Sequence, residues 1–377
     1  MIKYELIGMN KMKSFEEVFE DKTKYGTKIK TNEYQQEGKY LIVDQGQEQV
    51  AGYTNLEEGV FEEVPAIVFG DHTRVIKYVE EPFFLGADGV KVLKCRLPNA
   101  NYKYLYYTLL NAKIPNTGYN RHFKWLKEIK IAYPNTEKQT EIVCILDKVS
   151  KIIGFRQRQL KKLDELVKSR FIEMFVTDKN VCNWSQVRIS DVSTDMRTGP
   201  FGSALHHDEF VDSGVFVLGI DNAVENRFSY NRMRYITEEK YNQLKRYTVY
   251  PGDLIITIMG TVGRSAVIPQ DMPKAISTKH LACITPDSAV VDPCFLSSAF
   301  QMHPAIRLQL QNQCKGAIMD GLNLTIIKEL RFQLPPIDQQ KQFSEFVEQT
   351  DKSKFVIQQA LDKAQLLFDS LMQKYFG

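Results

Sequence analysis

The chain has 377 residues, a net charge of +3 and 43% hydrophobic residues, so its length predicts two domains of about 150 residues each with further elements between them. No run of about 18 apolar residues and no amino-terminal signal pattern occurs, and the six cysteines form no CxxC pair. This composition argues against a membrane protein, a secreted disulfide framework and a zinc site, and it favours a soluble cytoplasmic protein.

Residues 1–134 form the first predicted domain. The runs that indicate strands lie at residues 39–43, 66–69 and 90–97. Turn residues such as Asp71 and His72 separate these runs, and a helical pattern follows near residues 102–110. The mixture predicts an α+β domain with a mixed, twisted β-sheet.

Residues 135–176 form the first predicted spacer helix. Apolar side chains recur at alternating spacings of three and four residues, which is the narrow stripe of a long coiled-coil helix. The stripe comprises Ile142, Ile145, Val149, Ile153, Leu160, Leu163, Val167 and Met174. Pro134 and Glu137 suit a helix amino terminus. A helix from Glu137 to Phe175 would be roughly 58 Å long at about 1.5 Å per residue.

The same order then repeats. Residues 177–335 form the second predicted domain, and residues 336–377 form the second spacer helix. The second domain's predicted strands lie at residues 215–220, 252–258 and 280–284, with a helical pattern at residues 294–302.

The second helix repeats the first at a constant offset of 201 residues: Pro134 matches Pro335, Gln139 matches Gln340 and Phe175 matches Phe376. Its stripe comprises Phe343, Phe346, Thr350, Ile357, Leu361, Ala364, Phe368, Leu371 and Tyr375. Two helices in one register predict an antiparallel coiled coil and a pseudo-twofold internal repeat.

The sequence contains no pattern typical of an active site. Residues 260–264, Gly-Thr-Val-Gly-Arg, lack both the third glycine of a dinucleotide-binding loop and the Lys-Ser/Thr of a P-loop. Asp221, Glu238 and Lys240 could form a metal-nuclease trio, although residues this common supply such trios by chance. We therefore expect no catalytic residue, metal site or cofactor site in this chain.

Two segments and the repeat itself resemble the specificity subunit of type I restriction-modification systems. The segments are residues 251–264 and residues 322–337, the latter followed by Gln340. The resemblance covers essentially the whole chain, although residues 64–71 and Lys124-Trp125 of the first domain depart from these motifs. It implies two target-recognition domains that alternate with two conserved spacer helices.

The resemblance also implies partners. It predicts double-stranded DNA as the ligand, and two modification (methyltransferase) subunits and restriction/translocase subunits as protein partners, without membrane contact. S-adenosylmethionine, ATP and magnesium are expected on those subunits, and this chain is expected to be non-catalytic. The alternatives are a stand-alone DNA methyltransferase or nuclease with divergent motifs, or a coiled-coil scaffold without DNA contact.

Polar and basic residues near predicted strand ends are the candidates for DNA contact, since Arg, Lys, Asn and Gln read base edges and hold phosphates. In the first domain they are Lys28, Lys30, Asn32, His72, Arg74, Tyr119, Asn120 and Arg121. In the second domain they are Arg197, Thr198, Gly199, Ser203, Arg264, Lys279 and Lys315. Solvated loop charge is the alternative interpretation for each of these residues.

Overall fold

The computed structural model describes residues 11–86, 88–177, 183–200, 204–314 and 322–377. The chain divides into two compact units. Unit 1 comprises Met1–Gln157 and Gln359–Gly377, and unit 2 comprises Arg158–Gln358. Each unit contains sheets and helices, which confirms the predicted α+β class.

Unit 1 contains nine strands among its described residues. They are β1 Lys11–Ser14, β2 Phe19–Asp21, β3 Tyr40–Val43, β4 Gly52–Thr54, β5 Ala66–Gly70, β6 Ile76–Val79, β7 Phe83–Leu85, β8 Val90–Cys95 and β9 Lys130–Tyr133. They form a four-stranded sheet in the order β2-β8-β5-β6, a three-stranded sheet in the order β4-β3-β7, and the ribbon β1-β9. Only β3 and β7 pair in parallel among these strands, so the sheets are mixed, as predicted.

The helices of unit 1 pack on the four-stranded sheet. They are α1 Phe15–Val18, α2 Tyr102–Leu110 and α3 Phe123–Leu126. Helix α2 begins at the Asn101 cap, whose side chain accepts a hydrogen bond from the Tyr104 amide. Tyr104 and Leu105 are buried against Phe69 of the sheet, so this helix closes the hydrophobic core.

Unit 2 contains ten strands among its described residues. They are β10 Gln186–Arg188, β11 Ser193–Thr198, β12 Val215–Leu218, β13 Tyr235–Ile236, β14 Thr248–Val249, β15 Leu254–Thr257, β16 Ser265–Val267, β17 Ala275–Ser277, β18 Leu281–Pro286 and β19 Arg331–Gln333. They form two four-stranded sheets, β11-β18-β15-β16 and β13-β12-β17-β14, and the ribbon β10-β19.

The shorter helices of unit 2 are α5 Glu238–Leu244, α6 Pro293–Met302, α7 Pro304–Cys314 and α8 Leu324–Glu329. Helix α6 occupies the place of α2, and its Asp292 cap accepts from the Phe295 amide. Phe295 and Phe300 lie in the hydrophobic core of the unit.

The two units share one strand order. Reading β2, β8, β5 and β6 as β11, β18, β15 and β16 converts one four-stranded sheet into the other, and the parallel pair β3-β7 corresponds to β12-β17. The ribbons β1-β9 and β10-β19 also correspond. The predicted internal repeat therefore includes both globular parts, and their shared strand order is what the sequence alone did not reveal.

Two long helices follow the ribbons. Helix α4 spans Thr136–Phe175 and α9 spans Ile337–Phe376, each with 40 residues and a length of about 60 Å. All predicted stripe positions are buried or partly buried. In unit 1 the start of α4, including Leu146, shares a core with Phe368 and Leu371 from the end of α9. In unit 2 the end of α4, including Phe171, packs against Phe343 from the start of α9. Opposite helix ends therefore pair, and the antiparallel coiled coil is confirmed.

The repeated glutamine has a clear structural role. The Gln139 side chain accepts a hydrogen bond from the Asn101 amide at 3.2 Å and donates one to the Pro134 carbonyl at 2.9 Å. Gln340 likewise accepts from the Asp292 amide and donates to the Pro335 carbonyl at 2.9 and 2.8 Å. Each glutamine is buried and ties the start of a long helix to the cap of a domain helix, which explains its recurrence at the same register.

Candidate nucleic-acid interface

Asp71 holds three connections of unit 1 together. The connections are the β5–β6 hairpin, the β7–β8 loop and the α2–α3 segment. The Asp71 amide donates to the Gly89 carbonyl at 2.6 Å, while the Asp71 carbonyl accepts from the His122 amide at 2.8 Å. Its carboxylate accepts from the Phe123 amide at 2.7 Å. Because Asp71 is only 4% exposed, these bonds form in a dry environment and fix the three loops.

An aromatic pair stands on this framework. The His72 and Tyr119 rings are stacked, with centroids 4.7 Å apart and planes 6° from parallel. His72 Nδ1 lies 3.2 Å from the Asn120 carbonyl oxygen, and its backbone amide donates to Gln45 Oε1 at 3.2 Å. Tyr119 is 89% exposed, so its outer face is open to a ligand. Three predicted site residues thus meet here.

Lys28 pairs with a carboxylate that was not among the predicted site residues. Lys28 Nζ lies 2.8 Å from Asp88 Oδ1 in the β7–β8 loop. The hydrogen bond and charge of Lys28, with a smaller contribution from the charge of Arg121, hold the pKa of Asp88 below its usual value. The Asp88 carbonyl accepts from Gln45 Nε2 at 3.0 Å. The β2–β3 connection and the α2–α3 segment thus face the same loop.

The remaining candidates of unit 1 differ in exposure. Lys30 and Asn32 are exposed at the short 3₁₀ turn Thr31–Glu33 of the β2–β3 connection. Arg74 is half-buried in the β5–β6 hairpin with a φ of 63°, and its Nη1 donates to the Ile114 carbonyl at 3.4 Å. Arg74 is therefore partly occupied by the protein itself.

The β15–β16 hairpin of unit 2 presents Arg264. The Arg264 amide donates to Thr257 Oγ1 at 2.9 Å, and its carbonyl accepts from the Thr257 amide at 2.8 Å. Gly260 and Gly263 have φ angles of 71° and 82°, which side-chain-bearing residues rarely adopt, so the turn requires glycine. The Arg264 side chain is exposed on this rigid turn.

Lys279 lies in the β17–β18 connection. The neighbouring Thr278 amide donates to the Leu218 carbonyl at 3.0 Å, and the His280 carbonyl accepts from the Ile258 amide at 2.9 Å. Lys279 is exposed. Burial, then the positive charges of Lys279 and Arg234, lower the pKa of His280, so its imidazole stays neutral at neutral pH.

Gly199 lets the end of β11 approach this connection closely. A Cβ at Gly199 would lie 2.2 Å from the Thr278 carbonyl carbon, which no side chain could tolerate. Thr198, the last residue of β11, is half-buried beside it. These two predicted residues therefore shape the interface rather than present a charged group.

Arg197 is a strand residue and not an exposed charge. It lies within β11, is 12% exposed, and forms an ion pair with Asp253, which is 1% exposed. Arg197 Nε also donates to the Thr248 carbonyl at 3.0 Å. Burial, followed by the Asp253 charge, raises the pKa of Cys283, whose protonated thiol donates to the same carboxylate at 3.2 Å. A charge inside a strand with buried partners has the same sequence signature as a loop charge.

The candidate residues of the two units stand at matching connections. The β5–β6 hairpin with Arg74 corresponds to the β15–β16 hairpin with Arg264, and the β7–β8 loop with Asp88 corresponds to the β17–β18 loop with Lys279. Asp88, Gln45 and Arg234 were not among the predicted site residues, and the only sequence signal for Asp88 is its place in the turn residues between two predicted strands. Predicted residues Ser203 and Lys315 lie outside the described residues.

The possible nuclease trio does not assemble. Asp221 pairs with Arg234, Glu238 with Lys274 at 3.0 Å, and Lys240 with Glu209. Within the described ranges, no group of three or more His, Cys, Asp or Glu side chains could hold a metal ion. None of the helices in those ranges is long and apolar enough to span a membrane.

Comparison with known protein families assigns the chain to a family. The family described as type I restriction modification DNA specificity domain matches residues 5–165 and 183–365. The chain is 25% identical over 198 residues to the type I restriction enzyme EcoBI specificity subunit of Escherichia coli, covering 52% of this chain and 41% of that protein. It is 22% identical to the MjaVIII specificity subunit of Methanocaldococcus jannaschii, covering 66% and 63%. The matches thus span less than two thirds of each relative.

Solved structures show the same fold. The crystal structure of a type I restriction-modification system S subunit from M. genitalium matches with a TM-score of 0.63 and 16% identity, covering 97% of this chain and 96% of that one. A second solved structure comes from work on the structural basis of complex assembly and conformational transition of the type I R-M system. It matches with a TM-score of 0.53 and 13% identity, covering 97% of both chains.

Proposed function

The chain belongs to the type I restriction modification DNA specificity family, and we propose that it reads a bipartite double-stranded DNA target, with one half-site recognised by each unit. The observation that carries this proposal is the matched placement of candidate side chains in both units. Tyr119 and Lys28 in unit 1, and Arg264 and Lys279 in unit 2, are exposed beside corresponding strand connections. Two equivalent surfaces suit two separate half-sites.

The proposed roles follow from side-chain chemistry. Lys28, Arg121 and Lys279 bind phosphates, because flexible cations on exposed loops suit the DNA backbone. Arg264 also takes a phosphate, since its Gly263 neighbour permits close backbone approach. Lys30, Asn32 and Tyr119 are the candidates for base contact in unit 1. Arg197 supports the fold of unit 2 through its buried pair with Asp253.

Helices α4 and α9 serve as the spacer and as part of a partner surface. Their length of about 60 Å suits a rigid element between two half-sites. We propose that two modification subunits and restriction/translocase subunits assemble with this chain. S-adenosylmethionine, ATP and magnesium would then act on those partners, and this chain would be non-catalytic.

The test is methylation mapping. The chain is expressed with its modification subunits in a host without other DNA methylation, and the methylated motif is determined by methylome sequencing. We expect two short half-sites separated by a gap of fixed length. The double variant Arg264→Ala/Lys279→Ala removes proposed phosphate contacts and should therefore lower methylation of the motif without changing its sequence.

A continuous motif would overturn the proposal, and a relaxed base preference within one half-site would assign Arg264 or Lys279 to base reading instead. Purified chain without partners should neither methylate nor cleave DNA; activity of the chain alone would instead favour a stand-alone enzyme. Lys161→Ala/Lys162→Ala, at exposed positions of spacer helix α4, provides a matched loss of two positive charges away from the candidate loops.

A further inference from the structure

Asp88 is an acidic residue among loops that carry candidate DNA-binding cations. Its carboxylate is 90% exposed and lies 2.8 Å from Lys28 Nζ, whose side chain is 48% exposed. Arg121 adds a second positive charge near the same carboxylate. An isolated carboxylate at a phosphate-binding surface repels DNA, so its presence there calls for a function.

Two hydrogen bonds hold the backbone that carries Asp88. Its carbonyl accepts from Gln45 Nε2 at 3.0 Å, and the next carbonyl, of Gly89, accepts from the Asp71 amide at 2.6 Å. Asp71 is the buried residue that ties the hairpin and the α2–α3 segment together. The carboxylate is therefore held where the candidate loops meet.

Stability does not account for this pair. An ion pair between solvent-exposed side chains contributes little to the free energy of unfolding, because water and salt screen it and two long side chains lose freedom. The corresponding loop of unit 2 carries Lys279 instead of an acid, although both loops connect equivalent strands. The fold therefore does not require a carboxylate at this place.

We propose that Asp88 is an internal counter-ion, a stand-in for a DNA phosphate, that holds Lys28 in the free protein and is displaced from it when DNA binds. This inference rests on the proposed function. Lys28 reaches a phosphate only by leaving Asp88, so unit 1 binds arbitrary DNA weakly, and the contacts made at the correct half-site must offset the lost ion pair. Asp88 thereby increases discrimination rather than affinity.

The test compares Asp88→Asn with Glu57→Gln. Glu57 is the matched control, because it also forms an exposed pair with a lysine, Lys39, at 2.7 Å. Lys39 precedes β3 whereas Gln45 follows it, so the control pair lies at the other end of that strand. Binding to a mixed-sequence duplex and to the mapped target is measured for the chain assembled with its modification subunits, at a series of salt concentrations.

Asp88→Asn should bind the mixed-sequence duplex about threefold to tenfold more tightly at low salt, with a salt slope steeper by about 1, because the freed Lys28 releases a further counter-ion. Affinity for the target should rise less, so the specificity ratio falls. Glu57→Gln should change the affinity for either duplex by less than about twofold, because salt screens the charge of Glu57 over its distance from the DNA. Lys28→Gln/Asp88→Asn should lose most of the gain.

Three results would overturn the inference. They are an effect of Asp88→Asn equal to that of Glu57→Gln, a gain that persists when Lys28 is also replaced by Gln, and weaker binding at a single base position without a change in salt slope, which identifies a base contact. If wild-type complex binds no duplex, the proposed function and this inference fall together. If it binds its target and only Asp88→Asn lacks the effect, the inference alone fails.

Discussion

Units 1 and 2 share one strand order, yet they bury different charges. In unit 1, Lys77 is 2% exposed and pairs with Asp44 at 3.3 Å. In unit 2, Arg197 pairs with the fully enclosed Asp253. By strand register, Ala66 of unit 1 occupies the position of Asp253. The strand order of the sheet therefore does not depend on one particular buried charge. Each unit contains a different buried ion pair.

The largest expected difference between the units concerns Asp253. Asp253→Ala removes the buried carboxylate of Arg197 and leaves only the more exposed Asp195, 2.6 Å away, as its acidic partner, which should destabilise unit 2 by about 3 kcal/mol. Hydrogen exchange of β15 amides measures this loss locally. Lys77→Met in unit 1 should cost much less, because Asp44 remains 28% exposed and can be solvated. Equal losses of stability in the two units would show that the two buried ion pairs do not differ in this way.

A control separates charge from packing at the same position. Arg197→Met/Asp253→Leu replaces the whole pair with apolar groups and should recover most of the stability lost in Asp253→Ala. If the double variant is as unstable as Asp253→Ala alone, hydrogen bonds to Thr248 and Thr285, rather than the buried charge, dominate the effect.

The helix seam should be similar in both units. Leu163→Asp in unit 2 and Phe368→Asp in unit 1 each remove an apolar side chain from the stripe, which should cost about 1.5–3 kcal/mol. Leu166→Asp and Leu366→Asp are the matched controls, since these side chains are 49% and 70% exposed on the same helices. Circular dichroism during denaturation checks both pairs. Seam variants that behave like their controls would contradict the coiled coil.

Arg264 and Arg74, which lie in corresponding hairpins, should differ in their contribution to DNA binding. Arg264→Ala removes an exposed cation and, as a phosphate contact, should weaken binding to all sequences and lower the salt slope by about 1. Arg74→Ala should have a smaller effect, because Arg74 is half-buried and donates to Ile114. Binding titrations with single-base variants of the target at two salt concentrations measure these effects. A loss of about 1–3 kcal/mol at one base position would assign Arg264 to base reading instead.

A smaller effect is expected on the pH dependence of the stability of unit 2, where helix α6 contains Cys294. Burial, the largest cause, raises the pKa of Cys294 in α6 to about 11 from 9.0. The thiol therefore stabilises unit 2 while it is protonated, and this contribution declines as pH rises from about 9 through 11, because the unfolded chain ionises first. Cys294→Ala should flatten the pH dependence of unit 2 in that window. An unchanged slope would show that another group titrates there.

The sequence predicted the long helices well because their stripe has a single period and a repeated register. Strand positions were predicted correctly as well, for instance β5 and β12, since aliphatic runs bounded by turn residues are local signals. Strand order, the Lys28–Asp88 pair across 60 residues and the burial of Arg197 could not be predicted, because each depends on segments distant in sequence. The roles of the candidate residues in DNA contact remain predictions.

The central claim, that two equivalent units read two half-sites across a helical spacer, is tested most directly by lengthening the spacer. One heptad is inserted after Ile153 in α4 and one after Lys354 in α9, which preserves the phase of both stripes. The insertion adds about 10 Å of helix, or roughly three base pairs of DNA. Methylome sequencing should then show unchanged half-sites with a correspondingly longer gap; an unchanged gap in an active complex would contradict the account.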